Sequence, residues 1–388
     1  MNGVAGQKEF TDFMGSKSEP EWLKEYRQNN FEAFLAARAI VSHYTDMKKL
    51  EAMLKKPDAE PEIRIEAKGK VIALEFSDGL KKEAGTVRKT LSEESGTTDR
   101  FGAFANAFFT TGYFAFAEKG SGGEFSAEIE VRKGISCVKS VIAMENGNKV
   151  RAKERILSSG NGSAAILISS GAKIENGSCL EFSSSEELNA DSTIISSREM
   201  HVGRDSDSKA LYGWFGGKEA KSGVRNHLCG SGAEALHLEA LFGTGKQHFD
   251  LSSDLLHEVP DTSARVSMKA ALNNESSSIF KGMIKILKEG QKTNSFLECH
   301  SILLGKNASS NNVPGLEIEA NDVKATHSAS VRKIDEEDVF YLESRGIRKE
   351  EANRILVSSF FGSIINAFPS RNERERFLES IAGKYEGG

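Results

Sequence analysis

Two side chains in the C-terminal third of the chain are of the types that hold soft metals. Cys299, in TNSFLECHSILLG, and His327, in DVKATHSASV, offer a thiolate and an imidazole. Soft sulfur suits iron–sulfur clusters, in which a His can take the place of a Cys. Two ligands do not hold a cluster, so Glu298, His300 or a second chain would have to supply the rest, and nothing in the spacing selects among them. If both stretches are strands, alternation puts Cys299 on the face of Leu297 and Leu303, with Glu298 and His300 on the other face beside Phe296 and Ile302. His327 then shares a row with Val323, Ala325, Ala329 and Val331, where an imidazole needs a hydrogen-bonding partner. The competing reading of this pair is a satisfied core histidine and a cysteine acting as a small hydrophobe.

A second stretch imitates a nucleotide site and fails. Phe242-Gly243-Thr244-Gly245-Lys246-Gln247 looks like part of a phosphate-binding loop, but Ala240 stands where that loop needs Gly, and Gln247 replaces the magnesium-binding Ser or Thr. No ATP is expected on this chain; nucleotide hydrolysis, if its function involves any, belongs to another. There is no GxSxG, no HExxH and no Asp-rich calcium repeat, so the chain does not read as an enzyme. The four cysteines, Cys137, Cys179, Cys229 and Cys299, lie far apart without CxxC or CxxH spacing, which leaves no zinc knuckle or disulfide framework. A formal charge of -5 and a pI near 6.0 give no global field for nucleic acid or an anionic membrane. No stretch reaches the roughly 18 apolar residues of a membrane span, and the first residues show no basic start with an apolar run. The expected compartment is the cytoplasm.

The elements that must position these residues follow from composition and period. At 388 residues, 38% hydrophobic and 28% charged, with 36 Gly against 6 Pro, the chain is a folded protein rather than a fibrous or disordered one. Residues 18–56 read as helix, with Ser18 and Glu21 as a capping box and Trp22, Leu23, Tyr26, Phe34 and Leu35 at helical spacing. From about residue 62 the period changes to two, interrupted at 101–120 by a short helix candidate that runs into a strand. Between 125 and 332, strands of five to eight residues alternate with corners of Gly, Asn and Ser, the spacing of a β-solenoid. The repeat is too loose for a fixed period. Asp335 is an N-cap candidate for a short helix ended by Gly346. A longer helix follows with Ala352, Ile355, Leu356, Phe360, Ile364, Ala367 and Phe368 on one stripe, stopped by Pro369. Ser370 and Glu373 then form a capping box for a last helix bearing Phe377, Leu378 and Ile381. The division is an N-terminal helical region over 1–60, a β core over 61–332 and a C-terminal helical subdomain over 333–388. A solenoid exposes its first and last coils as open edges, which helices or a partner must cover.

Several long motifs, in order, resemble the SufB/SufD family of iron–sulfur cluster assembly proteins, and its SufD branch most closely. They are GKQHFD followed by His257, FKGMIKILKEGQKTNSF, LEIEANDVKATH and DVFYLESRGI, with weaker echoes in SEPEWLKEYRQNNFEAF, HYTDMKKL and FGAFANAFF. The match spans 18–368, densely from about 223 and thinly over 60–200. The resemblance implies a right-handed parallel β-helix flanked by helical regions. It also implies a subunit without enzymatic activity, working beside a SufB-like subunit and a SufC-like ABC ATPase that docks on Asp335–Phe368. By the same resemblance His327 matches the SufD histidine that faces the cluster site at the subunit interface, where a transient Fe–S cluster is built. Cys299 departs from many SufD chains and corresponds to a cluster-site cysteine of the SufB branch, whereas Ser328 stands where SufB has Glu. This mixture leaves two arrangements open, a SufB-like partner or a self-dimer sharing Cys299 and His327. Cys229 lies near the SufB cysteine that accepts sulfur but is offset from it. Flavin involvement and the sulfur donor are not encoded in these motifs. The rival class is a carbohydrate-active β-helix, which would need paired carboxylates or a calcium site in a groove; the solenoid stretch is instead rich in Ser and Gly.

Overall fold

The computed structural model describes residues 4–39, 41–92, 99–160, 162–367 and 371–386. The N-terminal region is three helices, α1 (Gln7–Gly15), α2 (Glu21–Ala36) and α3 (Met47–Glu51), rather than one run over 18–56. The expected box at Ser18 does not form, because α2 begins at Glu21 with Pro20 as its N-cap and no side chain capping it. Two strands follow, β1 (Glu62–Gly69) and β2 (Val71–Glu75), then α4 (Phe76–Lys82), α5 (Ala84–Ser92) and α6 (Arg100–Phe108). The apolar stretch at 101–120 thus divides into α6 and a strand, as its pattern predicts.

From Thr111 to Lys333 the chain winds through about eight turns of a parallel β-solenoid. One sheet contains β3 (Thr111–Ala117), β5 (Gly134–Met144), β7 (Ala164–Ile174), β9 (Thr193–Val202), β11 (Glu219–Leu228), β13 (His248–His257), β15 (Ser277–Ile286) and β17 (Ser309–Ile318). The facing sheet contains β4 (Gly122–Val131), β6 (Lys149–Ser158), β8 (Cys179–Glu187), β10 (Asp207–Trp214), β12 (Glu234–Gly243), β14 (Ser263–Leu272), β16 (Asn294–Leu303) and β18 (Lys324–Lys333). Neighbours within each sheet are one coil apart and parallel, while β1 and β2 close the first coil in antiparallel pairings with β4 and β3. Alternate side chains point into the lumen, where Val150, Ile156, Leu180, Val266, Leu272, Phe280 and Leu297 stack into one apolar core. Burying each such side chain contributes about 1.5–3 kcal/mol.

The Gly, Asn and Asp punctuation has a geometric cause. At one corner of successive coils stand Gly120, Gly147, Gly177, Asp205, Gly232, Asp261 and Lys292, all with positive φ. Each amide in this column donates to a carbonyl of the next coil, as from Gly147 to Asn176 at 3.0 Å and from Gly177 to Arg204 at 2.8 Å. The left-handed conformation favours Gly, Asp and Asn, so the corner imposes its composition on the sequence. Beside it the buried polar residues Asn148, Ser178 and Ser206 form a second column: the Asn148 amide donates to Ser178 Oγ and the Ser178 amide to Ser206 Oγ, both at 3.1 Å.

The helices cover the faces of the solenoid rather than its ends. Phe10, Phe31, Phe34, Phe104 and Phe108 pack with Cys137, Val141, Leu167 and Ile195 on the outer side of β5, β7 and β9. After the solenoid come α7 (Glu336–Ser344), capped by Asp335 as expected, then α8 (Lys349–Phe360), α9 (Gly362–Ile365) and α10 (Arg371–Glu386). These fold back along the other sheet, where Val357, Phe361, Ile364, Phe377 and Ile381 meet Leu211, Phe215, Leu238, Phe242 and Ile302. The expected stripe on the long helix is therefore corrected: Ala352 and Ile364 are buried, but Val357 and Phe361 join them instead of Ile355, which is exposed. The chain turns at Phe361 between α8 and α9, which rotates the buried face. Phe368, Pro369 and Ser370 lie outside the described residues, and with them the expected helix stop and second capping box.

Candidate functional site

Parallel pairing of β16 with β18 sets Leu297 beside His327, Glu298 beside Ser328, Cys299 beside Ala329 and His300 beside Ser330. Cys299 faces the lumen and is fully buried, its thiol donating to the Ser328 carbonyl at 3.7 Å. Burial, reinforced by the Glu298 charge, pushes this thiol up to about 12, so it is protonated at neutral pH. His327 shares the inner row, as the alternation predicts, but it is exposed rather than enclosed. It belongs to the last coil, and among the described residues no further strand stacks on β18. The pair is thus one coil and two register positions apart.

Glu298 and His300 project from the outer face of the same sheet. Against the cost of burial, hydrogen bonds from Ser267 and Arg265 hold Glu298 below the usual carboxylate range. His300 Nε2 is 3.7 Å from the Glu298 carboxylate, and its Nδ1 is 2.7 Å from Ser330 Oγ. Backbone separates this pair from Cys299 and His327, so the four residues form two sites on opposite sides of a strand.

The last coil is a bare cross-section of the core. Leu316 and Ile318 continue the inner rows of Ile284 and Ile286, and Val331 continues that of Ser301. They remain 37%, 41% and 43% exposed. Three partly exposed apolar core residues and an exposed imidazole thus share this end of the solenoid, one coil beyond a buried thiol. The first coil is different: β1 lines its edge with Glu62, Arg64, Glu66 and Lys68, and Arg64 pairs with Glu62, Glu128 and Glu130.

Cys299 also lies on a row of lumen side chains that is polar several coils back. The row runs Glu154, Ser184, Tyr212, Glu239, Met268, Cys299. Arg198, entering from the facing sheet, donates to Glu154 at 2.7 Å and lies 3.7 Å from Glu186. Tyr113 and Ser184 donate to Glu154 at 3.1 and 2.8 Å. Three coils on from Glu154, Glu239 accepts from Trp214 Nε1 at 3.0 Å and from Ser253, and lies 3.0 Å from His237 Nε2. Burial pushes Glu186 up to about 8, with Glu154 adding to the shift and Arg198 opposing it. Met268 and Val266 then close the polar stretch off from Cys299. Charge alone hides this network in the sequence; parity reveals it, since Glu154 shares its alternation with Val150, Ala152 and Ile156, and Glu186 with Leu180 and Phe182.

The remaining cysteines are dispersed. Cys137 is buried under the N-terminal helices, and burial raises its thiol far above the usual range. Cys179 is half-buried in β8, and Cys229 is exposed at the end of β11.

The sequence model of the SUF-system FeS cluster assembly SufBD core domain matches residues 128–360. An iron–sulfur cluster assembly SufBD family protein of Mycobacterium tuberculosis is 30% identical over 206 residues, 51% of this chain and 52% of that protein. The iron–sulfur cluster assembly protein SufD of Bacillus subtilis is 28% identical over 192 residues, 50% of this chain and 44% of that protein. The Arabidopsis thaliana protein ABCI7, chloroplastic, is 33% identical over 139 residues, 36% of this chain and 29% of that protein. The chain spans about half the length of the mycobacterial relatives it matches.

Proposed function

This chain belongs to the SufBD family of the SUF iron–sulfur cluster assembly system, and from that premise we propose that it is a non-enzymatic scaffold subunit of a cytoplasmic assembly complex. The observation that carries the reading is the bare last coil. Leu316, Ile318 and Val331 continue the core rows yet stay partly exposed, and His327 is exposed on the same coil. A SufB-like subunit stacked on β17 and β18 buries that surface and brings its own ligands to His327. Cys299, one coil below, supplies a thiolate ligand once its thiol is deprotonated, because iron binds the thiolate. The nascent Fe–S cluster is cargo held across the interface. Glu298 and His300, expected beside the cluster, lie on the outer face of β16 with the backbone between, so they are not assigned to it.

The second contact is with a SufC-like ABC ATPase. In α7, Phe340 and Tyr341 are 70% and 57% exposed, beside Glu336, Glu337 and Asp338 in the first turn. An aromatic pair next to a cluster of acids suits a basic groove on a partner. ATP is bound and hydrolysed by that partner.

Co-expression with a SufB-like subunit and a SufC-like ATPase tests both contacts. Val331→Asp with Ile318→Lys is expected to abolish capture of the SufB-like subunit while the ATPase remains bound, and Phe340→Ala with Tyr341→Ala to do the reverse. Cys299→Ala with His327→Ala is expected to impair maturation of Fe–S enzymes without unfolding the chain. Normal maturation in that double variant would return both residues to core packing, and capture of neither partner by the wild type would end the reading. A self-dimer in solution, measured by light scattering with and without the ATPase, would replace the SufB-like partner with a second copy.

A further inference from the structure

Mid-solenoid, at the corner where β9, β11 and β13 end, a second group of donor atoms converges. Glu199 and His201 come from β9 and His227 from β11, and their donor atoms lie within 4.8 Å of one another. Register stacks His201 on His227, with ring centroids 4.4 Å apart and planes 15° from parallel. Cys229 Sγ is 3.9 Å from His201 Nδ1. Glu258, just past β13, lies 2.8 Å from His227 Nδ1. With Nδ1 committed there, Nε2 is the nitrogen left to take a ligand. That atom is buried without a hydrogen-bond partner, in a residue only 8% exposed.

An orphaned buried imidazole nitrogen costs free energy unless something coordinates it. A carboxylate on the far nitrogen of a histidine is the arrangement that orients metal-bound imidazoles and raises their basicity. Glu199, its side chain 15% exposed, sets a carboxylate beside the two imidazoles. The group also opens onto a cleft of about 480 Å³ lined by Glu199, His201, Cys229, Lys173, Asn176 and Arg204. A bound ion would therefore have a face toward exchangeable ligands.

We propose that Glu199, His201 and His227 bind one divalent transition-metal ion of borderline softness, Fe²⁺ or Zn²⁺, with Cys229 as fourth ligand and Glu258 positioning His227. Imidazole, carboxylate and thiolate together suit these ions and disfavour Mg²⁺ or Ca²⁺. Tetrahedral bonds of about 2.0–2.3 Å place ligand atoms roughly 3.3–3.8 Å apart, so the donors close by about 1 Å on binding. The partly exposed His201 ring turns out of the stack to do so. The site is independent of the scaffold reading, since it uses none of the residues at the last coil.

The test uses the full chain, stripped with chelator and titrated with Zn²⁺, with Fe²⁺ under anaerobic conditions, and with Co²⁺ as a spectroscopic probe. One ion per chain is expected, with a thiolate-to-Co²⁺ absorption band that Cys229→Ser removes. His201→Gln and Glu199→Gln, both near the surface and expected to fold, should abolish stoichiometric binding. Glu258→Gln should weaken it about 10- to 100-fold. Cys299→Ala with His327→Ala should leave it unchanged, which separates failure of this site from failure of the proposed scaffold. Metal analysis of the chain purified from cells distinguishes Fe²⁺ from Zn²⁺. Absence of a bound ion in the titrations, or equal binding by the His201 and Glu199 variants, overturns the site; a Co²⁺ complex without the thiolate band overturns the part assigned to Cys229.

Discussion

Replacing Glu186 by Gln should make the protein more stable, and only above a particular pH. In the lumen a single guanidinium faces two carboxylates: Arg198 takes Glu154 at 2.7 Å and reaches Glu186 only at 3.7 Å. One positive charge offsets one negative charge, and Glu186 stays protonated up to about pH 8 against an ordinary value of 4.5. Below pH 4.5 the folded and unfolded chains both hold that proton, and the group costs nothing. As pH rises, the unfolded chain ionises freely while the folded chain cannot, so stability is lost progressively until the folded group also ionises near pH 8. At about 1.36 kcal/mol per pH unit, the loss is on the order of 3 kcal/mol at pH 7 and about 5 kcal/mol above pH 8. Gln fills the same space and does not titrate. Urea unfolding followed by tryptophan fluorescence, with Trp214 in the same lumen, gives stability at half-unit steps from pH 5 to 8.5. The variant and wild type should converge at the acid end and diverge steadily toward pH 8. Any constant offset from the new amide drops out of the comparison. Parallel curves across that range would refute the assignment of the buried proton to Glu186.

Two further outcomes follow from the packing. Phe377 stands edge-on to Phe215 and Phe361, with centroids 5.1 and 5.9 Å away, so Phe377→Ala should cost about 3–5 kcal/mol of docking energy. Hydrogen exchange should then quicken in α10 and not in β10–β14, and unchanged protection of α10 would contradict the packing. Native alkylation followed by mass spectrometry should modify the exposed Cys229 before Cys299 and Cys137, both fully buried; equal labelling of Cys299 and Cys229 would show that the last coil opens in the free chain.

The strands and their corners were legible because geometry restricts composition there: a left-handed column accepts Gly, Asp and Asn, and the lumen accepts alternate apolar residues. The period was not, because the coil advances by as little as 26 residues, from Thr193 to Glu219, and as much as 32, from Ser277 to Ser309. Corner insertions absorb the difference without disturbing register. Alternation assigned Cys299, His327, Glu298 and His300 to the correct faces of their strands. It said nothing about exposure, since whether His327 is enclosed depends on a following coil rather than on local pattern. The helices were found at both ends of the sequence, but where they pack, along the sheets instead of over the ends, depends on apolar residues on the outward faces of strands, such as Val141 and Leu238. The Glu199, His201, His227 group escaped notice because His227 lies 26 residues beyond His201 and meets it only through the register of β9 with β11.

If solenoids join end to end as proposed, the contrast between the two ends limits how many can do so. A solenoid with adhesive surfaces at both ends would add subunits without limit, since each addition exposes a fresh end. Here the first coil ends in an antiparallel strand of alternating charge, and among the described residues the last coil is the one that leaves core rows exposed. Two such rods meeting at their bare ends leave charged termini facing outward, and growth stops at two.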